Sequence, residues 1–61
     1  MTSKLFAVYD SKLEAYLAPF FMPTKGAALR AWQTTVNDPK TDFNKYPGDY
    51  TLFEIGELRL S

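Results

Sequence analysis

The chain has 61 residues, and its seven Lys and Arg balance seven Asp and Glu, so the formal net charge is zero. It has no Cys and no His, which excludes disulfides, thiolate nucleophiles, zinc fingers and iron–sulfur sites and removes the usual general base near neutral pH. With 46% hydrophobic and 16% aromatic residues, it is too apolar for a disordered tail.

Two antiparallel strands are predicted in the first third of the chain. Residues 4–9 form a compact apolar run rich in β-formers, and residues 14–22 form a second run with apolar side chains on both faces. The polar segment 10–12 between them is typical of a turn. Pro19 has no N–H to donate, so it is expected at an edge, at a bulge or near the strand end.

An amphipathic helix is predicted after residue 24. Thr24 is a plausible N-cap, and Pro39 disfavours helical geometry at Asp38, which ends the helix. Apolar and small residues recur with the spacing of a core stripe, at Ala28, Ala31, Trp32, Thr35 and Val36. Trp32 is therefore interpreted as a core residue.

A loop and a third strand are predicted in the last third. Residues 40–49 form a polar loop in which Phe43 and Tyr46 are expected to pin the loop to the domain. Residues 50–55 are the predicted strand, and Gly56 suggests a bulge or a close backbone approach. Residues 57–61 either extend this strand or fray.

The order β-β-α-β indicates a single α+β domain over residues 1–61, a small antiparallel sheet with one helix. Apolar residues occupy both faces of the strands, and one helix can cover only one face. A chain of this size buries about 60% of its unfolded surface, so a lone core is marginal. We therefore expect homo-oligomerisation, to a homodimer or higher, to complete the fold. Edge-to-edge joining, face-to-face stacking and exchange of the last strand all remain open.

Signatures of an enzyme, cofactor or metal site are missing from the sequence. Gly26, Gly48 and Gly56 are isolated, so there is no glycine-rich phosphate loop. The acidic residues show no calcium-loop spacing, and no assembled acid, base and nucleophile can be identified. We expect a non-catalytic protein without cofactor or metal. No apolar run approaches the roughly 20 residues that a membrane-spanning helix needs.

Nucleic-acid binding is the more credible activity, because aromatic side chains are interleaved with cations. The alternative is that most aromatics are core and most lysines are scattered solubility charges. Zero net charge argues against strong non-specific binding. Candidate nucleic-acid-binding residues combine outward cations with nearby polar or aromatic groups: Lys4, Arg30, Gln33, Lys45, Tyr46 and Arg59.

Three segments carry a family resemblance that spans nearly the whole chain. They are Lys-Leu-Phe-Ala-Val-Tyr-Asp at 4–10, the helix end Val-Asn-Asp-Pro at 36–39, and Tyr-Pro-Gly-Asp-Tyr-Thr-Leu-Phe-Glu-Ile-Gly-Glu at 46–57. Together they resemble the small non-structural protein of gokushovirus-type microviruses, bacteriophages with circular single-stranded DNA genomes.

The resemblance implies a protein of the infected bacterium's cytoplasm that binds single-stranded DNA and assists genome synthesis or packaging. None of the matching segments is a catalytic motif. The alternative is a homo-oligomeric interaction factor that contacts a phage replication or assembly protein and has no direct role on DNA.

Overall fold

The computed structural model describes residues 2–59; Met1, Leu60 and Ser61 are outside the described residues. Strand β1 (Thr2–Asp10) is the centre of an antiparallel sheet. Strand β4 (Tyr50–Arg59) pairs along one side of β1, and two short strands, β2 (Ala15–Tyr16) and β3 (Phe20–Met22), pair along the other. With one main helix on the sheet, the α+β prediction is confirmed.

The pairing of β4 with β1 runs from Thr2 opposite Arg59 to Asp10 opposite Tyr50. The register shifts by one residue at Leu5 and Phe6, where β4 contributes an extra residue, Ile55. This shift confirms the bulge predicted next to Gly56. The strand continues past the predicted end to Arg59, so the extension is confirmed up to that residue; the part that falls on residues 60 and 61 is outside the described range.

The predicted strand 14–22 is interrupted, and one continuous strand was a wrong prediction. Tyr16 pairs with Tyr9 and Phe20 pairs with Phe6, so three residues, 17–19, span the length of two on β1. Pro19 lies in this stretch and cannot donate a ladder hydrogen bond, which gives the physical reason for the break. Pro19 therefore occupies a bulge at the sheet edge, one of its predicted positions.

The turn between β1 and β2 is held by the buried side chain of Asp10. Its Oδ1 accepts hydrogen bonds from the backbone N–H of Lys12 at 3.0 Å and of Leu13 at 3.3 Å. Glu14 closes the turn with φ of 55°, a left-handed conformation that is uncommon for a side-chain-bearing residue. Ser11 ties the turn to the start of β4, because its N–H donates to the carbonyl of Asp49 at 2.9 Å.

Helix α1 (Lys25–Asn37) begins and ends where the sequence predicts. The Thr24 hydroxyl accepts from the N–H of Ala27 at 3.1 Å, which confirms the N-cap. Asp38 is extended and its N–H donates to the carbonyl of Thr35, so the helix stops before Pro39. Among residues 2–59, no helix is long and apolar enough to cross a bilayer.

A four-residue helix, α2 (Asp42–Lys45), and a 3₁₀ turn at Pro47–Asp49 occupy the segment predicted as a loop. Phe43 contacts Trp32 with ring centroids 5.1 Å apart and Tyr50 with centroids 4.6 Å apart. Phe43 therefore fixes the segment to the helix and sheet, as predicted. Tyr46 does not, because its side chain is 58% exposed.

The hydrophobic core is small. Among the described residues, the buried apolar side chains are Phe6, Ala7, Val8 and Ala28. Phe6 stacks on Phe20 with centroids 5.9 Å apart, which joins β1 to β3 under the helix. Trp32 is only partly buried, at the border of the core rather than inside it.

Candidate nucleic-acid interface

In the described part of the chain, no helix covers the face of the sheet opposite α1, which is called the open face here. Side chains alternate along a strand, so Phe6 and Val8 of β1 point to α1 and the residues between and beside them point away. Cross-strand pairing with β1 places side chains of β2, β3 and β4 on the same face. The open face comprises Ser3, Leu5, Ala7, Tyr9, Tyr16, Phe21, Thr51, Phe53, Gly56 and Leu58.

Aromatic rings dominate the open face. Tyr16, Phe21 and Phe53 are 56%, 53% and 42% exposed. Tyr16 meets Tyr9 edge to face with centroids 5.1 Å apart, and meets Phe53 at 6.0 Å. These contacts hold the tyrosine ring over Ala7, which is only 1% exposed although no helix covers it. The result is a semi-rigid aromatic surface in contact with water.

The open face carries no charged residue among the strand positions that the structure describes. Glu54 pairs with Phe6 and therefore lies on the helix side, where its carboxylate is 3.5 Å from Lys4 Nζ. Asp10 also lies on the helix side, and its carboxylate accepts a hydrogen bond from the backbone of the turn. Arg59, opposite Thr2, lies on the helix side with its ion-pair partner Glu57, and Lys12 lies in the β1–β2 turn at the other end of the sheet.

The six predicted nucleic-acid-binding residues do not converge on one surface. Lys4 and Arg59 lie toward the same end of the sheet, each beside a carboxylate: Lys4 next to Glu54, and Arg59 3.6 Å from Glu57. Both cations are therefore partly neutralised within the chain. Lys4 also points to the helix side, because it is two residues from Phe6 on β1 and side chains alternate along a strand. Its cross-strand partner Glu57 lies on the same side.

The other four predicted residues lie on two different surfaces. Arg30 and Gln33 are exposed one turn apart on α1 and share a surface. Lys45 and Tyr46 are adjacent at the end of α2, beside the 3₁₀ turn that leads to Asp49. That turn bonds to Ser11, at the opposite end of β1 from Lys4 and about 20 Å along the strand at 3.3 Å per residue.

The exposed aromatic residues of the open face, Tyr16, Phe21 and Phe53, were not among the predicted site residues. Sequence reasoning predicted an uncovered face but could not assign its members. The available signal was the pair of neighbouring phenylalanines, Phe20 and Phe21, which must face opposite sides of a strand. Choosing between them requires the register across the interrupted strand.

A second apolar feature is a cavity of about 450 Å³ between α1 and the interrupted edge. Its walls are apolar apart from one hydroxyl, and they include Val8, Leu17, Phe20, Met22, Trp32 and Phe43. This cavity is continuous with the core, and its hydroxyl, that of Thr35, already donates to the carbonyl of Ala31. Within residues 2–59, no group of three or more His, Cys, Asp or Glu side chains is placed to hold a metal ion.

Comparison with known proteins gives one informative match. Neither the curated proteins nor the solved structures include a match to this chain. The model of the family described as Phage ORF5 protein matches residues 3–59, which is nearly the whole chain and all four strands and both helices. The chain therefore belongs to the Phage ORF5 protein family.

Proposed function

We propose that this phage protein binds single-stranded DNA on its open face, without catalysing a reaction, and assists the synthesis or packaging of a single-stranded viral genome in the host cytoplasm. One observation carries the proposal: three exposed aromatic rings share an uncharged face of the sheet. Membership of a phage family and the resemblance to a microvirus protein support the viral setting.

Stacking supplies the affinity in this proposal. A base stacked on an aromatic side chain contributes about 1–3 kcal/mol, and every base has a π-face, so the contact tolerates any sequence. Tyr16 is already oriented by Tyr9 and Phe53, which lowers the entropy lost when a base docks. Duplex DNA keeps its bases stacked inside, so the same surface discriminates against it.

Phosphate contacts play a smaller part. Net charge is zero, Arg59 lies on the helix side beside Glu57, and Lys12 lies in the turn at one end of the sheet. Lys12 is therefore the cation expected to meet a phosphate of a strand on the open face. The expected mode is base stacking with few electrostatic contacts.

A matched pair of tyrosine variants tests the proposal. Tyr16 and Tyr46 are 56% and 58% exposed, but only Tyr16 belongs to the open face. Fluorescence anisotropy with a labelled oligothymidine should show that Tyr16→Ala weakens binding by about tenfold, the loss of one stacked base. Tyr46→Ala should bind as the wild type does. Equal losses in the two variants, or no binding by folded wild-type protein at low salt, would contradict the proposal.

Charge reversal tests the residues predicted from sequence. If DNA lies on the open face, Arg30→Glu and Lys45→Glu should leave affinity nearly unchanged, because both residues lie on other surfaces. A strong loss in either variant, with Tyr16→Ala unaffected, would place DNA on the helix side. That result would favour the residues chosen from the sequence over the open face.

The uncharged character of the open face favours a second candidate, a protein-interaction factor. The centres of protein interfaces are depleted in charged residues and enriched in aromatics, as this face is. In this version the partner is a phage replication or assembly protein. This second candidate would be supported by two results together. A purified phage protein would bind the wild-type chain but not Phe21→Ala, and the wild-type chain would not bind oligothymidine.

A further inference from the structure

The outer edge of β4 is the longest unpaired strand edge in the described part of the chain. β4 bonds to β1 from Tyr50 to Arg59, and no other described strand pairs with it. In an edge strand, alternate N–H and C=O groups point away from the sheet and are a template for another strand. Residues 53–59 are all exposed, so this edge is accessible.

The opposite edge of the sheet is protected and β4 is not. β2 has two residues and β3 has three, and the bulge with Pro19 separates them. Short strands, bulges and proline are the devices that prevent strand addition. β4 has ten residues without proline, and its one bulge at Ile55 still leaves five regular residues before it.

The acidic residues of β4 do not oppose addition of a strand. Glu54 is 3.5 Å from Lys4 Nζ, and Glu57 is 3.6 Å from the guanidinium of Arg59. Each carboxylate is thus locally balanced by a cation of its own chain. The remaining large side chains that β4 exposes, Phe53, Ile55 and Leu58, are apolar.

We propose that β4 pairs antiparallel with β4 of a second copy of this chain, so that one sheet continues through both protomers. A two-fold interface joins identical surfaces, and a strand paired with itself through a two-fold axis is antiparallel. An axis perpendicular to the sheet keeps both helices on one side. The two open faces then form one uninterrupted aromatic surface on the other side.

A second copy is the occupant that the chain itself favours. The described core has four buried apolar residues, and the sequence offers neither disulfides nor a metal cluster within residues 2–59 to compensate. Pairing through β4 satisfies the outward backbone groups of both copies at once. It also brings exposed aliphatic side chains of β4, among them Ile55 and Leu58, against β4 side chains of the other copy across the seam. This inference is independent of DNA binding.

Engineered cysteines test the geometry, because the native chain has none. Single cysteines at Thr51, Phe53, Ile55 and Leu58 scan the edge, with Leu29→Cys on the exposed helix surface as the control. Disulfides need Cα atoms within about 7 Å, so cross-linking should peak at the position nearest the two-fold axis and be absent at Leu29. Stronger cross-linking by Tyr16→Cys or Phe21→Cys would indicate face-to-face stacking and overturn the proposal.

Unmodified protein provides the second measurement. On raising the protein concentration, amide hydrogen exchange should slow in β4 and stay unchanged in β2 and β3, while sedimentation equilibrium shows a dimer. Ile55→Lys should weaken dimerisation by about tenfold or more without unfolding the chain, since Lys at an edge opposes pairing. Leu29→Lys, at a comparably exposed aliphatic residue, should dimerise normally. A monomer at every concentration, or a dimer whose β4 amides stay unprotected, would refute the proposal.

Discussion

At the scale of single residues, Asp10 fixes the turn between β1 and β2. It is 6% exposed, and both hydrogen bonds to its Oδ1 come from backbone N–H groups of the turn. Asp and Asn both support such turns because each offers a side-chain oxygen that can accept from backbone N–H groups a few residues on. Asp10 thus converts a sequence signal for a turn into a fixed chain reversal.

We predict that Asp10→Ala lowers the free energy of unfolding by about 1–3 kcal/mol, because two N–H groups lose their acceptor. Asp10→Asn keeps an acceptor in place and should lose much less. Urea unfolding followed by circular dichroism measures both. Equal losses in the two variants would mean that the charge, and not the hydrogen bonds, stabilises the turn.

Tyr50 links stability to pH. Partial burial raises the pKa of Tyr50 above its ordinary value of 10.0, and the carboxylates of Asp10, Asp42 and Asp49 raise it further. The folded state therefore holds this proton more tightly than the unfolded state does. The resulting stabilisation is fully present below pH 10 and is lost as pH rises through the folded-state pKa.

We predict that the wild-type protein loses stability above pH 10 and that Tyr50→Phe loses less over the same interval. Chemical unfolding at a series of alkaline pH values measures the two slopes. Identical slopes would show that the ionisation of Tyr50 is not coupled to folding. The aromatic contact with Phe43 is retained in the variant, so stability near neutral pH serves as the control.

At the scale of elements, the bulge at residues 17–19 decides which side chains face water. Without it, Tyr16 and Phe21 would alternate onto opposite faces of one strand. The extra residue reverses the alternation, so that both lie on the open face while Phe20 packs on Phe6. The one extra residue in the bulge therefore places the rings of Tyr16 and Phe21 on the same face of the sheet.

The neighbouring residues Phe20 and Phe21 allow this register to be tested by their effects on stability. Phe20→Ala should lower the free energy of unfolding by about 2–3 kcal/mol, somewhat less than the roughly 3–5 kcal/mol for a fully buried ring, since it removes a partly buried ring that stacks on Phe6. Phe21→Ala should cost less than about 1 kcal/mol, because its ring is largely in water. Thermal and urea unfolding compare the pair directly. A reversed order would mean that the interrupted strand has a different register.

The sequence predicts the main elements because their signals are local. The Thr24 cap, the stripe through Ala28 and Trp32, and the Pro39 stop define the helix without any tertiary information. Helix α2 was missed because four residues are too few to show a helical period. The site was only partly predictable: an uncovered face follows from counting elements, but its members depend on a register that the sequence pattern leaves open.

At the scale of the whole molecule, charge and shape predict how binding responds to salt. The positive groups beside the open face are few, and the net charge is zero. Each phosphate neutralised on a single strand contributes about −0.7 to the slope of log affinity against log salt. Nucleic-acid binding by the open face should therefore depend only weakly on ionic strength.

We predict a slope of about −1 to −2 for oligothymidine, which corresponds to two or three phosphate contacts. Anisotropy titrations over a sodium chloride series measure it. Lys12→Gln should make the slope shallower by about one contact, while Tyr16→Ala should lower affinity and leave the slope unchanged. A steep slope would mean that a larger basic surface, on another side of the molecule, binds the phosphates.

The interrupted edge formed by β2 and β3 also limits how many copies of the chain can join through their sheets. Because Pro19 and the bulge leave that margin ill-suited to accept a neighbour, lateral addition can proceed from one side alone. Assembly by strand addition then terminates at a pair instead of continuing into a fibril. A protein with such an apolar sheet is thereby guarded against amyloid-like polymerisation.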